Sequence, residues 1–272
     1  MEQETPAALR RIAEEAARLA GKILAERFLG KRTIETKGSP SNLVTDADKA
    51  SEAALLQFLH ARYPHHAILA EESGASQGTG LRWLIDPLDG TTNYAHQVPH
   101  FCVSLAVDGP DGVRAGVVYD PMLDELFSAA RGEGATLNGR PLKTSGTTQM
   151  ERALLCTGFP YDLRERPEGP LGLFSHIVRR AQGIRRTGSA ALDLAYVAAG
   201  RFDGFFEFGL KPWDIGAGSL LVQEAGGLMA QIDGQPFEVM RGDVLASAPG
   251  LATELQYECH LFLQELGLLP RV

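Results

Sequence analysis

The chain has 272 residues, of which 44% are hydrophobic and 22% charged, as is typical of a globular protein with a large core in one or two closely joined domains. The formal net charge of −8 and the absence of an apolar run near ~18 residues argue against nucleic acid or membrane as a partner. Three cysteines without C-x-x-C spacing exclude complete intrachain pairing, and the start lacks a basic signal-peptide region, so we expect a cytoplasmic protein with reduced thiols.

Two helices are predicted at the beginning of the chain. Apolar residues at three-four spacing predict an amphipathic helix from residue 6 to about 28, and Gly30 ends it. A second helix is predicted to begin near Thr45, which forms a capping-box pattern with Asp48, and to end before Pro64.

Strands and tight turns dominate the next part of the chain. A short strand at 67–70 leads into Glu71-Glu72. Further strands are predicted at 103–107, 113–119 and 125–130, with hairpin signals at 109–112 and 138–139. We expect an antiparallel sheet with helices packed beside it.

After about residue 150 strands and helices alternate. Strands are predicted at 153–157, 204–208, 228–231 and 244–248, and helices at 171–181, 189–199, 215–225 and from 251 onward. This alternation predicts α/β layering. We expect one domain, 1–272. A composition shift near 140–150 divides it into subdomains of about 1–145 and 146–272.

The most informative segment follows an apolar run that begins at Trp83, and it reads Asp86-Pro87-Leu88-Asp89-Gly90-Thr91-Thr92-Asn93. Pro87 fixes its own φ and favours an extended Asp86, so both carboxylates are held on a stiff bend. Hard oxygen ligands followed by small residues with free N–H groups suit a divalent cation and a phosphate together. A plain turn requires neither two aspartates nor the threonines after them. The segment therefore predicts metal-assisted phosphoryl chemistry.

Three acidic sites each end a predicted element: Glu71-Glu72, the pair Asp86 and Asp89, and Asp214. Folding can bring such ends to one edge of a sheet, where converging carboxylates repel each other unless cations neutralise them. Each site also has a plainer interpretation. Glu71-Glu72 could be a solvated pair and Asp214 the N-cap of a helix, while Asp48 suits the first turn of one.

Two glycine-containing segments offer backbone N–H groups to an anion. Gly90 and Thr91 could receive a phosphate at a helix start. Gly188, Ser189 and Ala190 repeat the pattern, although a packing role explains them equally well.

Other candidate motifs give no comparable signal. The seven histidines lack H-E-x-x-H or any other zinc spacing, and His65-His66 are expected on a surface turn. Gly132-Glu133-Gly134 is interpreted as a hairpin bend rather than a dinucleotide loop, because no βαβ pattern follows it.

These motifs resemble the two signatures of the inositol monophosphatase family. The segment 86–93 is similar to D-P-[ILV]-D-G-[ST]-x-N, and the second signature, W-D-x-A-[AG]-G…E-A-G-G, is similar to Trp213-Asp214-Ile215-Gly216-Ala217-Gly218 with Glu224-Ala225-Gly226-Gly227. Their order and their separation from Glu71 also agree with the family, over nearly the whole chain. Gly216 departs from the commoner alanine, and Ser189 stands where some members have threonine.

The resemblance implies a sugar-phosphatase fold of alternating layers, α-β-α-β-α, in a homodimer with Mg²⁺-dependent, lithium-sensitive activity on phosphate esters. It implies two Mg²⁺ ions and an optional third. Glu71, Asp86 and the carbonyl of Leu88 would hold one ion. Asp86, Asp89 and Asp214 would hold the second.

The resemblance also implies roles for the remaining residues. Thr91, with Glu71, would orient the attacking water, and the amides of Gly90 and Thr91 would receive the phosphate. Glu207 would bind sugar hydroxyls, beside Asp214. A further set would lie around them: Gly188, Ser189 and Ala190 facing the substrate, Asp48 near the third cation, and Glu72 as a support for the ligands.

The favoured activity is hydrolysis of a myo-inositol monophosphate such as inositol 1-phosphate. Fructose-1,6-bisphosphatase and 3′-phosphoadenosine 5′-phosphate phosphatase are alternatives with the same expected ligands, although no obvious adenine-binding insertion is present. A metal-binding regulatory protein without catalysis is an alternative of another class. The complete set of acidic residues argues against it.

Overall fold

The computed structural model describes residues 4–30, 33–38, 40 and 42–269, so the ends of the expected 1–272 domain lie outside the described residues. The helices are α1 (Pro6–Phe28), α2 (Asp46–His60), α3 (Thr91–Ala95), α4 (Glu168–Ile177), α5 (Ala190–Ala198), α6 (Pro212–Glu224) and α7 (Ala252–Glu265). The strands are β1 (Ile34–Thr36), β2 (Leu43–Thr45), β3 (Ala67–Ala70), β4 (Gly74–Ser76), β5 (Arg82–Asp89), β6 (Cys102–Gly109), β7 (Gly112–Asp120), β8 (Glu125–Ala130), β9 (Ala135–Leu137), β10 (Arg140–Pro141), β11 (Leu154–Thr157), β12 (Gly183–Arg185), β13 (Gly204–Glu207), β14 (Leu228–Gln231) and β15 (Val244–Ser247).

These elements form five layers in the order α-β-α-β-α. Helices α1 and α2 cover the outer face of an eight-stranded sheet, α5 and α6 lie between it and a five-stranded sheet, and α4 and α7 cover the far face. The layered α/β fold that the sequence predicts is confirmed. None of the helices in the described part of the chain has the length and apolarity needed to cross a membrane.

The two N-terminal helices begin where their caps predict. Thr5 caps α1, which has the predicted bounds. The capping box of α2 is present, with the Thr45 backbone N–H donating to Asp48 Oδ2 at 2.8 Å. Helix α2 ends at His60, earlier than the expected stop before Pro64, because the backbone N–H groups of Arg62 and Tyr63 both donate to the Leu59 carbonyl in a turn.

The first sheet has the strand order β10-β9-β8-β7-β6-β5-β3-β4 and is antiparallel except for the β3–β5 pair. The strands predicted between residues 67 and 130 are present, and so are the hairpin turns at 109–112 and 138–139. The sequence does not predict β4, β9, β10 or the separate β1–β2 hairpin. These strands have only two or three residues, too few to carry a hydrophobic periodicity, and β1, β4 and β10 are mostly exposed.

The second sheet has the order β12-β11-β13-β15-β14. Strand β11 pairs in parallel with β12 and β13, whereas β15 is antiparallel to β13 and β14. Every strand and helix predicted after residue 150 is present with shifted ends, and the short, half-exposed β12 is an addition. The division into subdomains near residue 145 stays a prediction.

Glycines allow α6 to lie close to its neighbours. A Cβ at Gly116 of β7 would lie 2.9 Å from the Ala217 backbone, and a Cβ at Gly218 would lie 2.5 Å from Leu194 of α5. At Gly216, the position that departs from the family signature, a Cβ would lie 2.8 Å from a flexible leucine side chain. Small residues therefore bring the start of α6 to the edge where β5 ends.

Candidate active site

The site residues expected from the sequence line one cleft, at the edge where β5 ends and where α5 and α6 begin. The members that line it are Glu71, Asp86, Leu88, Asp89, Gly90, Thr91, Gly188, Ser189, Ala190, Glu207 and Asp214. Asp48 and Glu72 do not line the cleft but contact residues that do.

An extra residue in β5 places both aspartates of the first signature on one face. Asp86 pairs with Ser104 and Asp89 with Cys102, so β5 advances three residues while β6 advances two. In a regular strand, residues three apart point to opposite faces, and the β-bulge restores a common face. The Leu88 backbone N–H donates to Asp86 Oδ1 at 2.9 Å and fixes the bend. Both carboxylates consequently face the cleft.

The clustered carboxyl groups have raised pKa values. Burial raises the pKa of Asp86 well above its ordinary value, and the charges of Glu71 and Asp89 raise it further. Burial and then the charge of Asp89 raise the pKa of Asp214 in the same way. Burial also raises the pKa of Asp89 to about 6. This concentration of buried negative charge suits cations.

Lys37 is a cationic side chain that contacts this cluster. Its Nζ lies 3.0 Å from Glu71 Oε1 and 2.5 Å from Glu72 Oε1. Burial raises the pKa of Glu72 to about 7, and its backbone N–H donates to Glu52 Oε2 at 3.0 Å. The two glutamates are thus not a solvated pair. Sequence reasoning missed Lys37 because it follows a short strand and belongs to no motif.

Thr91 connects the signature turn to α2. Its hydroxyl lies 3.0 Å from the Leu88 carbonyl and 3.2 Å from Asp48 Oδ1, so its single proton goes to one of them at a time. Asp48 is fully buried, and burial raises its pKa to about 6 although Thr45 donates to it. The first turn of α2 therefore supplies a contact to the site as well as a helix cap.

Asp214 is the third residue of α6 and not its N-cap. The helix begins at Pro212, and the Lys211 backbone N–H donates to Asp214 Oδ2 at 2.7 Å. Trp213 lines the cleft, and its carbonyl accepts a hydrogen bond from Ser104 Oγ at 3.0 Å. The N-cap interpretation is wrong because the proline starts the helix two residues earlier.

Glu207 lies at the end of β13 in another part of the cleft wall. Its side chain is buried and accepts no hydrogen bond from the residues that the structure describes. Burial and then the charge of Asp193 raise its pKa well above the ordinary value. A Cβ at Gly158 would lie 2.1 Å from Glu207 Oε2, so this glycine, which sequence reasoning missed, makes room for the carboxylate. A buried acceptor without a donor suits a ligand hydroxyl.

Side-chain hydrogen bonds hold the start of α5 against the signature turn. Asn93 Nδ2 donates to the Thr187 carbonyl at 2.9 Å. Asp89 Oδ2 accepts from Ser189 Oγ and from the Ala191 backbone N–H, both at 2.7 Å. The loop expected to face the substrate is therefore tied to the expected metal ligands. Asn93 ends the signature segment 86–93, but the sequence does not indicate this contact, because Thr187 lies 94 residues away.

The expected phosphate cradle depends on glycines with positive φ. Gly90 has φ +95° and precedes α3, and a Cβ there would lie 3.0 Å from the His100 carbonyl. Gly188 has φ +94° just before α5, whose first residue, Ala190, lines the cleft. Glycine adopts this backbone conformation without strain. The backbone at the starts of α3 and α5 can therefore lie close to a ligand in the cleft.

A second group of potential metal ligands lies away from the cleft. Glu4 Oε1 is 3.2 Å from Nε2 of both His65 and His66. His66 is 2% exposed and stacks on Tyr63, so the expected surface position is wrong for His66. Trp83 Nε1 donates to His66 Nδ1 at 3.1 Å, which leaves the proton of the neutral ring on Nε2. Because His66 Nε2 carries its proton and is bonded to Glu4, these three residues form an internal contact instead of a metal site.

Comparison with known proteins gives a consistent result. The model of the inositol monophosphatase family matches residues 6–261. The Nus factor SuhB of Salmonella typhimurium is 46% identical over 241 residues, which cover 88% of this chain and 90% of that protein. A solved inositol monophosphatase from Anabaena (Nostoc) sp. PCC 7120 is 45% identical with a TM-score of 0.84, and the match covers 93% of this chain and 95% of that one. An IMPase/NADP phosphatase complexed with Mg²⁺ and phosphate is 27% identical with a TM-score of 0.78, over 88% of this chain and 90% of that one. The chain belongs to the inositol monophosphatase family.

Proposed function

We propose that the protein is a Mg²⁺-dependent phosphomonoesterase. The observation that carries the proposal is the convergence of Glu71, Asp86, Asp89 and Asp214, from three separate segments, in one cleft where burial raises the pKa of the aspartates. Membership of the family supports the same chemistry, as does a similar structure that binds Mg²⁺ and phosphate.

The donor set suits Mg²⁺, which prefers carboxylate and carbonyl oxygens. Glu71, Asp86 and the Leu88 carbonyl would hold one ion. Asp86, Asp89 and Asp214 would hold a second. Bound Mg²⁺ would polarise the phosphate ester and lower the pKa of water so that a nucleophile exists near neutral pH. Asp48 contacts Thr91 and Glu72 contacts Lys37, and Asp48 would lie near an optional third ion.

The protein's own groups would position the reactants. Because Thr91 donates its proton to Asp48 or to the Leu88 carbonyl, its oxygen is free to accept a hydrogen bond from the attacking water. Glu71 would accept from the same water, while Lys37 holds that carboxylate in place. The backbone N–H groups of Gly90 and Thr91 would donate to the phosphate oxygens.

The favoured substrate is a myo-inositol monophosphate. Glu207 offers a buried acceptor for ring hydroxyls in the cleft that Gly188, Ser189 and Ala190 also line. The similar Anabaena structure carries the name inositol monophosphatase, which supports this substrate class. Fructose 1,6-bisphosphate and 3′-phosphoadenosine 5′-phosphate are the alternatives, because the same carboxylates would serve each ester.

Phosphate release from inositol 1-phosphate, fructose 1,6-bisphosphate and 3′-phosphoadenosine 5′-phosphate tests the proposal. We expect turnover with Mg²⁺, none with EDTA, inhibition by Li⁺, and the highest kcat/KM for inositol 1-phosphate. The expected homodimer is checked on the same sample by analytical ultracentrifugation. A folded chain that releases no phosphate from any of the three esters would overturn the proposal and favour a non-catalytic metal-binding protein.

A Nus-factor role is a second candidate, favoured by the name of the relative that is 46% identical. This candidate role is a reason to test the expectation that nucleic acid is not a partner. That expectation stays a prediction. We expect the wild-type chain and the Asp86→Asn variant to restore growth equally in a Salmonella typhimurium strain that lacks its own Nus factor SuhB. Failure of the wild-type chain would count against this role, and failure of the variant alone would show that the role needs the cleft.

A further inference from the structure

Ser189 has an unusual position for a residue at the edge of a substrate cleft. It is the N-cap residue of α5, yet its side chain makes no cap hydrogen bond to that helix. Its residue exposure is 1%, and its Oγ donates to Asp89 Oδ2 at 2.7 Å, across 100 residues of sequence. The hydroxyl is therefore committed to the aspartate and has almost no surface to offer to a ligand.

The donors around Asp89 fill one of its two oxygens. Oδ2 accepts from Ser189 Oγ and from the Ala191 backbone N–H, both at 2.7 Å. The thiol of Cys102 lies 3.8 Å from the same oxygen and is only a weak additional donor. A carboxylate oxygen has two lone pairs, so Oδ2 is fully used by the first two donors. Oδ1 is the oxygen that Asp89 can still offer to a cation.

We propose that Ser189 is a positioning residue that presents Oδ1 of Asp89 to a cation in the cleft. The inference rests on the proposed metal-dependent function. The terminal torsion of an aspartate is broad, and the hydroxyl adds a side-chain donor to the backbone donors of α5, so that it restricts rotation of the carboxylate. Asn93 holds the loop before Ser189 by donating to the Thr187 carbonyl, which keeps the hydroxyl within reach.

The Ser189→Ala variant tests this role through the affinity for Mg²⁺ alone, measured by calorimetry without substrate. Loss of an outer hydrogen bond to a metal ligand typically weakens binding by a factor of 10–100, so we expect a Kd roughly tenfold higher. Ser189→Thr keeps the hydroxyl and is expected to return the Kd to within about twofold of wild type. In phosphate release, Ser189→Ala should require a correspondingly higher Mg²⁺ concentration for half-maximal rate.

Ser219→Ala is the matched control. Ser219 is equally buried, at 1% exposure, but its Oγ donates to the Gly216 carbonyl at 2.8 Å within α6. Its loss is expected to change thermal stability without changing the Mg²⁺ affinity. If Ser189→Ala does not fold, Ser189→Cys replaces it, because a thiol of similar size is a weaker donor and should also raise the Kd.

Two outcomes separate this inference from the proposed function. Equal Mg²⁺ affinity of the wild-type chain and of Ser189→Ala, or of Ser189→Cys where the alanine variant does not fold, overturns the positioning role. A wild-type chain that binds Mg²⁺ but cleaves no phosphate ester overturns the phosphatase proposal, and the comparison of Mg²⁺ affinities remains valid in that case.

Discussion

Polar groups lie near both ends of β5, and the two groups differ in whether their donors and acceptors have hydrogen-bond partners. At the beginning of the strand, the Trp83 N–H, both ring nitrogens of His66 and a carboxylate oxygen of Glu4 all have partners. At its end, Asp86 and Asp89 lie in a cleft whose lining has more aspartates and glutamates than lysines and arginines.

The difference supports the cluster at the end of β5 as the candidate site. A cluster whose donors and acceptors match needs nothing from outside the chain and stabilises the fold. A cluster with excess buried negative charge is costly in the free protein and is stabilised when a cation binds. Glu207, with no donor of its own among the described residues, belongs to the second kind.

The largest expected effect is the loss of activity in Asp86→Asn. This change keeps the size of the side chain but removes charge from the centre of the unmatched cluster, so we expect phosphate release to fall by about 10³-fold or more. The measurement is kcat at saturating Mg²⁺, with circular dichroism to confirm folding. Asp120→Asn is the control, since Asp120 is also fully buried but accepts from the Met122 backbone N–H outside the cleft. Equal losses in both variants would contradict the comparison.

Removal of the Glu207 carboxylate comes next in size. Loss of a charged acceptor for ligand hydroxyls is worth about 1.5–3 kcal/mol, so we expect Glu207→Ala to raise KM for inositol 1-phosphate by roughly 10- to 100-fold. Cleavage of p-nitrophenyl phosphate, which has no polyol, should change little. Gly158→Ala should reproduce the effect by displacing the carboxylate. An unchanged ratio between the two substrates would contradict the assignment.

A smaller effect is expected on stability as a function of pH in EDTA. Burial raises the pKa of Asp89 from 3.8 to about 6, so the folded state binds this proton more tightly than the unfolded state does. Its stabilising contribution is therefore complete below about pH 4 and is lost as pH rises through about 6, by roughly 3 kcal/mol. Urea unfolding of the wild type and Asp89→Asn from pH 4 to 8 measures the difference. The variant should lose less stability over this range, and parallel curves would disprove the assigned shift.

The smallest expected effect on function comes from the paired end of β5. His66→Ala leaves the buried Trp83 N–H without an acceptor and removes the stack on Tyr63, so unfolding should become easier by about 2 kcal/mol. Mg²⁺ affinity and kcat should stay at wild-type values. Urea unfolding and the phosphate assay on the same preparation check both statements. A changed Mg²⁺ affinity would show that the two ends are coupled.

Much of the fold follows from local sequence physics. The three-four spacing predicts α1 within a residue or two, and the Thr45–Asp48 box predicts the start of α2 because both partners lie in one turn. The short β1 and β4 are not predictable in this way. They are held by pairing with neighbouring strands and have no apolar pattern of their own.

Part of the candidate site is likewise predictable from the sequence, and part is not. The motif at 86–93 and the acidic residues at the ends of predicted elements identify the cluster, since their combination is unusual although each acidic residue alone is not. The contacts of Lys37, Asn93 and Gly158 depend on partners between 34 and 94 residues away, which periodicity and spacing do not encode. The β-bulge is also invisible to the pattern, although it is what puts Asp86 and Asp89 on one face.

The position of Trp213 at the cleft has a spectroscopic consequence. The chain has two tryptophans, and the other, Trp83, is fully buried at the paired end of β5. Because Trp213 lines the cleft and precedes Asp214 in sequence, we expect a change of charge there to alter its surroundings, whereas Trp83 is fully buried. In a Trp83→Phe background, all tryptophan emission comes from the cleft. The protein thus contains its own fluorescent reporter of ligand binding, and no external dye is required.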